Sequence, residues 1–279
     1  MKTIGICAYN EEKSIKKTLK SILPQIEDKD EIIVVASGCT DKTVEKVQEI
    51  KNPKIKVIEE KERKGKVSAI NKILERAKGD IIVFVDADVL IEKGAIEQLV
   101  RHFKDKDIGA TSGKMISYKK ENFFDKIQDF GFYGLNQQKI KENKEERFYA
   151  LNGYLAAIRS GIVKKIDEKF LIDDALLGWE IRKKGYRIIY DPEAIVQVQA
   201  AQNLSDFIKQ KARNRVGWWQ LQSKGMSIKD RRNFSQLIFL FKKPYAWLFI
   251  PLDLLIWLKA FVDFKRNKSY WQAVKSSKI

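Results

Sequence analysis

Along the first 110 residues, solid apolar runs alternate with helically spaced ones. Thr3-Ile4-Gly5-Ile6-Cys7-Ala8 reads as a buried strand, and Glu12 to Leu23 places Ile15, Leu19 and Ile22 on one helical face before Pro24. Ile32-Ile33-Val34-Val35 is a second strand, followed by a helix from Thr40-Asp41 through Val44 and Val47. Ile55 to Ile58 is a third strand, and Val67 to Ala77 is helical with Ile70, Ile73 and Leu74 on one side. Ile81-Ile82-Val83-Phe84-Val85 is apolar throughout, so it is expected at the centre of a sheet covered on both faces. This strand–helix rhythm predicts a mostly parallel α/β sheet with right-handed crossovers.

Beyond residue 110 the pattern is less regular. Asn122 to Asn143 predicts a helix interrupted at Gly131, Leu151 to Ile158 a strand, and Ala175 to Lys184 a helix closed by Gly185. Arg187–Tyr190 and Ala194–Val198 are expected as two short strands, and Leu204 to Lys224 as a long basic helix. Pro244 to Phe264 is nearly all apolar but carries Asp253, Lys259 and Asp263. A bilayer span tolerates central charge poorly, so an interfacial helix pair or a re-entrant segment fits at least as well as a span. An ordinary core helix is the plainer reading, and Lys242-Lys243 and Lys265-Arg266 at the flanks favour the membrane.

Charge sharpens this division. The 279 residues carry a net charge of +17, of which residues 201–279 supply +12, from 16 Lys/Arg against four Asp. The same stretch holds Trp218, Trp219, Trp247, Trp257 and Trp271, five of the six tryptophans. Basic charge mixed with tryptophan points to an anionic membrane surface or to nucleic acid. No nucleic-acid-binding motif accompanies it, so no nucleic-acid partner is expected. The two cysteines, Cys7 and Cys39, exclude a disulfide scaffold and a four-cysteine zinc site and are expected as buried small hydrophobes. The single histidine, His102, excludes a two-histidine metal site and is expected in a surface or structural role on a basic helix. Met1-Lys2-Thr3-Ile4 runs straight into the first strand without a secretory signal, which places the expected active face in the cytosol.

Three groups can carry chemistry. Asp86-Ala87-Asp88 leaves the apolar strand, where an open α/β sheet binds ligands at its C-terminal edge. Two hard carboxylates there suit Mg²⁺ or Mn²⁺ carrying a diphosphate, although an isolated pair of this kind is more often a solvated turn. Asp173-Asp174 precedes a helix and is either its cap or, because neighbouring acids resist joint ionisation, a source of a general base. Lys209 to Arg215 is either a solvated helix face or a cationic clamp for phosphate oxygens.

Taken together, residues 1 to 225 resemble family 2 glycosyltransferases of the GT-A fold. The resemblance rests on Cys7-Ala8-Tyr9-Asn10-Glu11-Glu12, Val34 to Thr43, Gly65-Lys66 to Asn71, Asp86-Ala87-Asp88, Asn152-Gly153, Asp173-Asp174 with Gly185-Tyr186-Arg187-Ile188, and Gln210-Lys211-Ala212-Arg213, in that order. It implies a Rossmann-like GT-A nucleotide-sugar-binding domain over residues 1–225 and a basic, hydrophobic, membrane-associated helical segment over 226–279. A UDP- or GDP-sugar donor would meet Ala8, Tyr9, Glu11, Asp41, Lys66, Asp86, Asp88 and Arg213. Asp86 and Asp88 would hold Mg²⁺ or Mn²⁺, Asp88 being the better ligand, and Asp174 would be the catalytic base of an inverting transfer. Asn152, Gly153, Asp173 and Trp179 would line the acceptor side, with core packing the alternative for Trp179.

The departures are informative. Ala36 and Ser37 stand where acids often contact the nucleobase, and Gln197 or Gln199 stands near the place of a metal-binding histidine in many relatives. Asn214 replaces the tryptophan of the signature of processive synthases, which favours single addition over polymer extrusion. The resulting expectation is a metal-dependent inverting glycosyltransferase. It would act on a lipid-linked or glycan acceptor at the cytoplasmic face of the membrane, peripherally or by a C-terminal anchor. The rival is a soluble cytoplasmic enzyme acting on a free glycan, with the tail used for dimerisation.

Overall fold

The computed structural model describes residues 1–119, 121, 123–146, 150–199, 201–225 and 246–266. The described residues fall in two compact units, one within 1–168 and 173–199, the other in 169–172, 201–225 and 246–266.

The first unit is built on an eight-stranded sheet. Strands β1 (Lys2–Ala8), β2 (Glu31–Ser37), β3 (Ile55–Glu60) and β4 (Ile81–Asp86) alternate with helices α1 (Ile15–Ile22), α2 (Thr43–Gln48) and α3 (Lys66–Arg76). Then come β5 (Val89–Ile91), α4 (Ala95–Val100), β6 (Ile108–Ser117), α5 (Phe123–Lys144), β7 (Leu155–Arg159), α6 (Asp173–Lys183) and β8 (Arg187–Val198). The strand order is β3-β2-β1-β4-β7-β6-β8-β5. β1, β2, β3 and β4 are mutually parallel, as the alternating pattern predicts. β7 runs antiparallel to both β4 and β6, so β6 and its parallel partner β8 end at the same edge of the sheet as β1–β4. Every chain that leaves those strand ends opens onto one side of the molecule.

The two faces of the sheet differ. Ile4, Ile6 and Ala8 of β1 join Ile15, Leu19 and Ile22 of α1 and Ile96 and Leu99 of α4 in the main apolar cluster. The alternate positions, Thr3, Gly5 and Cys7, face α3, where Gly5 lies under Ile73. Asp86, in register with Cys7, points to the α3 side with Phe84.

Three elements escape the apolar pattern. β6 is buried through Thr111, Ser112 and Gly113, and α4 and β5 are too short to show a period. β8 is one strand where two were expected. Its register against β6 jumps from Asp191 to Ile195, and Pro192 lies within that bulge. α5 runs unbroken through Gly131 and Gly134. β7 begins only at Leu155, because Leu151–Tyr154 forms a turn. His102 lies in a 3-10 turn where its Nε2 meets Asp191 at 2.7 Å, a structural position. Both cysteines are half-buried, Cys39 with its thiol directed at the Ala8 carbonyl.

In the second unit, α7 (Leu204–Ser223) is capped by Asn203, whose side chain accepts from the Asp206 amide. α7 packs on α8 (Ala246–Lys265), with Ile256 and Ala260 buried and Trp219 edge-on to Trp257 and Phe264. Asp253 of α8 pairs with Arg215 at 2.6 Å, and Lys259 with Asp263 at 2.9 Å, so the charges that interrupt this apolar helix are matched. No helix among the described residues is long and apolar enough to cross a membrane. Asn122, Lys242-Lys243, Pro244 and Trp271 lie outside the described residues.

Candidate active site

The site is assembled where β4 ends. The Asp86 amide donates to the Tyr154 carbonyl, and the Thr18 hydroxyl of α1 donates to the carbonyl of buried Ala87. These bonds hold the Asp86-Ala87-Asp88 turn from both sides before β5 pairs with β8. Opposite, Gly65 adopts a positive φ of 94° that few other residues would tolerate and delivers Lys66 as the first residue of α3. α6 opens with Asp173 and Asp174, and the Asp174 Oδ1 accepts the Ala175 amide at 2.8 Å. Acids suit this helix N-terminus, whereas Lys66 at the start of α3 opposes the helix dipole and needs the acids around it.

These side chains converge. A cavity of about 20 Å³, room for a single water, is lined by Lys66, Asp86, Asn152, Gly153, Asp173 and Asp174 among others. It is the inner end of the site and too small to be a sugar pocket. Lys66 Nζ lies 2.7 Å from Asp86 Oδ1 and 3.4 Å from Asp173 Oδ2. A Cβ placed on Gly153 would lie 3.1 Å from Asp174 Oδ2, so glycine gives the Asp174 carboxylate its space. Asn152 shapes this turn. Its amide nitrogen atoms reach Ser112 Oγ and the Gly113 carbonyl, and its Oδ1 accepts the Tyr154 amide.

The acids outnumber the cation. Burial, reinforced by the nearby charges of Asp88 and Asp173, pushes the Asp86 carboxyl up to about 7 despite Lys66. The Asp174 carboxyl is raised first by burial and then by Asp173. For Lys66, burial disfavours the ammonium, but Asp173 and Asp86 outweigh it and hold the amine charged. Asp86 is raised because burial disfavours its charge and Asp88 and Asp173 lie close, against the opposing pull of Lys66. Four acids, Asp86, Asp88, Asp173 and Asp174, thus face Lys66 and, at Asp174, Lys139, and the site is short of positive charge.

That deficiency bears on a divalent cation. Among the described residues no three His, Cys, Asp or Glu side chains are grouped to hold a metal ion. Asp86 lines the cavity with Asp173 and Asp174, whereas Asp88 does not; a cation held by Asp86 and Asp88 would take its remaining positions from water and phosphate, which is the habit of Mg²⁺. Gln197 and Gln199, near the expected place of a histidine, direct their amide groups to Glu92 and Asp125.

The other expected residues divide by place. The Tyr9 ring lies under the Arg63 guanidinium, 3.9 Å from ring centroid to carbon, at the ends of β1 and β3. Glu11 and Asp41 bind the two neighbouring loops together. The Glu11 amide donates to Thr43 Oγ1, and Asp41 accepts the Glu12 and Thr43 amides. The Ala8 side chain belongs to the apolar core. Trp179 is half-buried on α6 and does not line the cavity. Arg213 is on α7 in the second unit, beside Asn214 at 3.3 Å. Sequence reasoning missed Arg63 and Lys139. Arg63 lies in a charged run without a pattern, and Lys139 is a buried lysine of α5 whose charge lowers the Asp174 pKa. It also missed that Lys66 spans Asp86 and Asp173.

The chain is similar to several known proteins. The poly-beta-1,6-N-acetyl-D-glucosamine synthase of Staphylococcus aureus strain COL is 26% identical over 259 residues, covering 90% of this chain and 63% of that protein. The chain thus spans less than two thirds of the length of that relative. The mannosyltransferase PcManGT from Pyrobaculum calidifontis, solved with GDP-Man and Mn²⁺, superposes with a TM-score of 0.73 at 20% identity, covering 96% of this chain and 87% of that one. S. aureus TarS 1-349 in complex with UDP-GlcNAc superposes with a TM-score of 0.56 at 18% identity, covering 76% of this chain and 64% of that one. Residues 3–167, the span that carries β1 to β7 and the Asp86-Ala87-Asp88 turn, match the family described as Glycosyl transferase family 2, so the chain belongs to that family.

Proposed function

We propose that this glycosyltransferase moves a sugar from a UDP- or GDP-sugar to a hydroxyl or phosphate oxygen, with inversion and with Mg²⁺ or Mn²⁺. The observation that carries the reading is the convergence of Lys66, Asp86, Asp173 and Asp174 on one cavity at the strand edge. The bound nucleotides of PcManGT and TarS support the donor class.

In this reading Tyr9 and Arg63 flank the nucleobase, and the loops tied by Glu11 and Asp41 hold the ribose side. Asp86 and Asp88 would hold the cation, which when bound offsets charge on the departing diphosphate. Asp174 accepts the acceptor proton as the acceptor oxygen attacks the anomeric carbon in line with the breaking carbon–oxygen bond. Burial and Asp173 raise its pKa, which makes its carboxylate a stronger proton acceptor. Asn152 and Gly153 fix the turn beside it, and Asp173 and Trp179 belong to the acceptor side. Arg213 as a phosphate clamp rests on its motif alone.

The acceptor belongs to a membrane surface, as a lipid-linked phosphate or a glycan there. Leu254, Leu255, Trp257, Leu258, Phe261, Val262 and Phe264 of α8 are exposed, while its charges are paired. We place this exposed apolar face against the bilayer surface, because a contiguous apolar patch of this kind marks an interaction site. We take the cytoplasmic face as the side on which the site works. The experiment for the donor is a thermal-shift panel of nucleotide sugars with and without Mn²⁺. One UDP- or GDP-sugar should raise Tm, and more so with Mn²⁺. No shift with any donor contradicts the reading.

A further inference from the structure

β6 buries two hydroxyl groups side by side, those of Thr111 and Ser112, and one of them reaches the active site. The Ser112 backbone is held on both sides, in register with Ala156 of β7 and Tyr190 of β8. Its Oγ accepts the backbone amide of Asn152 at 2.7 Å, and the carbonyl of the next residue, Gly113, accepts the Asn152 side-chain amide at 3.0 Å. Asn152 Oδ1 accepts the Tyr154 amide at 3.0 Å, and the Tyr154 carbonyl accepts the Asp86 amide at 3.2 Å. The turn is therefore tied to β6 at one end and to β4 at the other. Gly153 lies between the two ties, where its missing Cβ would stand 3.1 Å from Asp174 Oδ2. Thr111 gives the contrast, since its equally buried hydroxyl finds no hydrogen-bond partner among the described residues.

We propose that Ser112 is a positioning residue for the transfer step, its hydroxyl setting the Asn152–Tyr154 turn and, through Gly153, the place of the Asp174 carboxylate. The inference rests on the proposed role of Asp174 as base and adds the residue that seats it. It also gives a use to the polar stretch of β6, which packing alone leaves without one. Asn152 is buried, so without Ser112 Oγ its backbone amide lacks an acceptor and the turn must shift to find another. Asp174 is the neighbour that such a shift meets at Gly153. The donor side is anchored separately, by the Thr18 hydroxyl on the Ala87 carbonyl.

The test is hydrolysis of GDP-Man and UDP-GlcNAc, the donors solved with PcManGT and TarS, by the full chain with Mn²⁺. Water then stands in for the acceptor hydroxyl and gives its proton to the same carboxylate. Each variant is assayed well below its own Tm, with release of nucleoside diphosphate as the readout. Ser112→Ala should lower kcat by about tenfold and leave the donor KM within about twofold of wild type, as a misplaced catalytic group does. Ser112→Thr, which keeps the hydroxyl, should recover most of that loss. Ser112→Cys, which offers only a weak acceptor, replaces the alanine variant should that one not fold. Thr111→Val removes the hydroxyl that holds nothing and should leave kcat unchanged. In Asp174→Asn, adding Ser112→Ala should change kcat by less than about twofold, because both act through one carboxylate. A kcat unchanged in Ser112→Ala, or lowered equally in Thr111→Val, overturns the proposal and leaves Asp174 as base. So does a full further loss in the double variant. Full turnover in Asp174→Asn alone, or no hydrolysis of either donor by wild type, overturns the proposed function and this inference with it.

Discussion

The account is sharpest at single residues. Asp174 sits against Gly153 with its pKa raised by burial and by Asp173, a base that is partly protonated at low pH. Turnover should therefore climb with pH and level off at a midpoint above the usual carboxylate range, in kcat measured across about pH 5 to 9. Asp174→Asn should flatten that limb and lower kcat by about 10²–10⁴. Asp86 gives a second pH test, through stability. The unfolded chain loses this proton near the model-peptide value of 3.8 and the folded chain near 7. A pKa raised by folding means that the folded state holds the proton more tightly, so this contribution to stability is full below about 3.8 and is lost as pH rises toward 7. Asp86→Asn removes that dependence. In metal-free buffer its stability relative to wild type, from urea unfolding, should improve between about pH 5 and pH 8. A flat difference would show that Lys66 keeps Asp86 ionised throughout.

At the scale of elements, loops that must approach closely are the vulnerable points. Gly38, with φ at 65°, joins β2 to the next loop, and a Cβ there would collide with the backbone of Glu62 and Arg63. Gly38→Ala should cost about 2 kcal/mol or more, from the left-handed backbone and the clash together, visible as a lower Tm. Gly153→Ala should do the reverse, with Tm nearly unchanged and kcat reduced about tenfold, because only the Asp174 carboxylate must move. The same contrast explains what the sequence made legible. Strands β1, β2 and β4 carry apolar runs, β3 carries Ile55, Val57 and Ile58, and helices of clear period lie between them, so their order and direction could be read directly. β6 could not, since Thr111, Ser112 and Gly113 are buried without an apolar signature, and the bulge at Pro192 divided β8 in the pattern but not in the sheet. The acids at 86, 88, 173 and 174 were visible as motifs. Lys66 between Asp86 and Asp173 was not, because a contact 107 residues apart in sequence depends on two helix starts meeting across the sheet.

At the scale of the molecule, charge and apolar surface are separated along the chain. The first 200 residues are nearly balanced in charge, while the basic remainder includes α8 with its exposed leucines and aromatics. Replacing Leu254, Leu258 and Phe261 together by Glu should abolish flotation with anionic liposomes and leave transfer to a soluble acceptor analogue intact. Flotation that persists would move the membrane contact elsewhere, and a loss of dimer mass in light scattering would assign the face to a second copy of the chain. The central claim, that carboxylates on β4 and α6 serve one reaction centre, is tested most directly by donor turnover and donor binding measured side by side in wild type, Asp88→Asn and Asp174→Asn. The account predicts that Asp174→Asn binds the nucleotide sugar as wild type does but turns it over at least about 10²-fold more slowly, and that Asp88→Asn loses the Mn²⁺-dependent part of binding. Full turnover in Asp174→Asn, with binding unchanged, would contradict it.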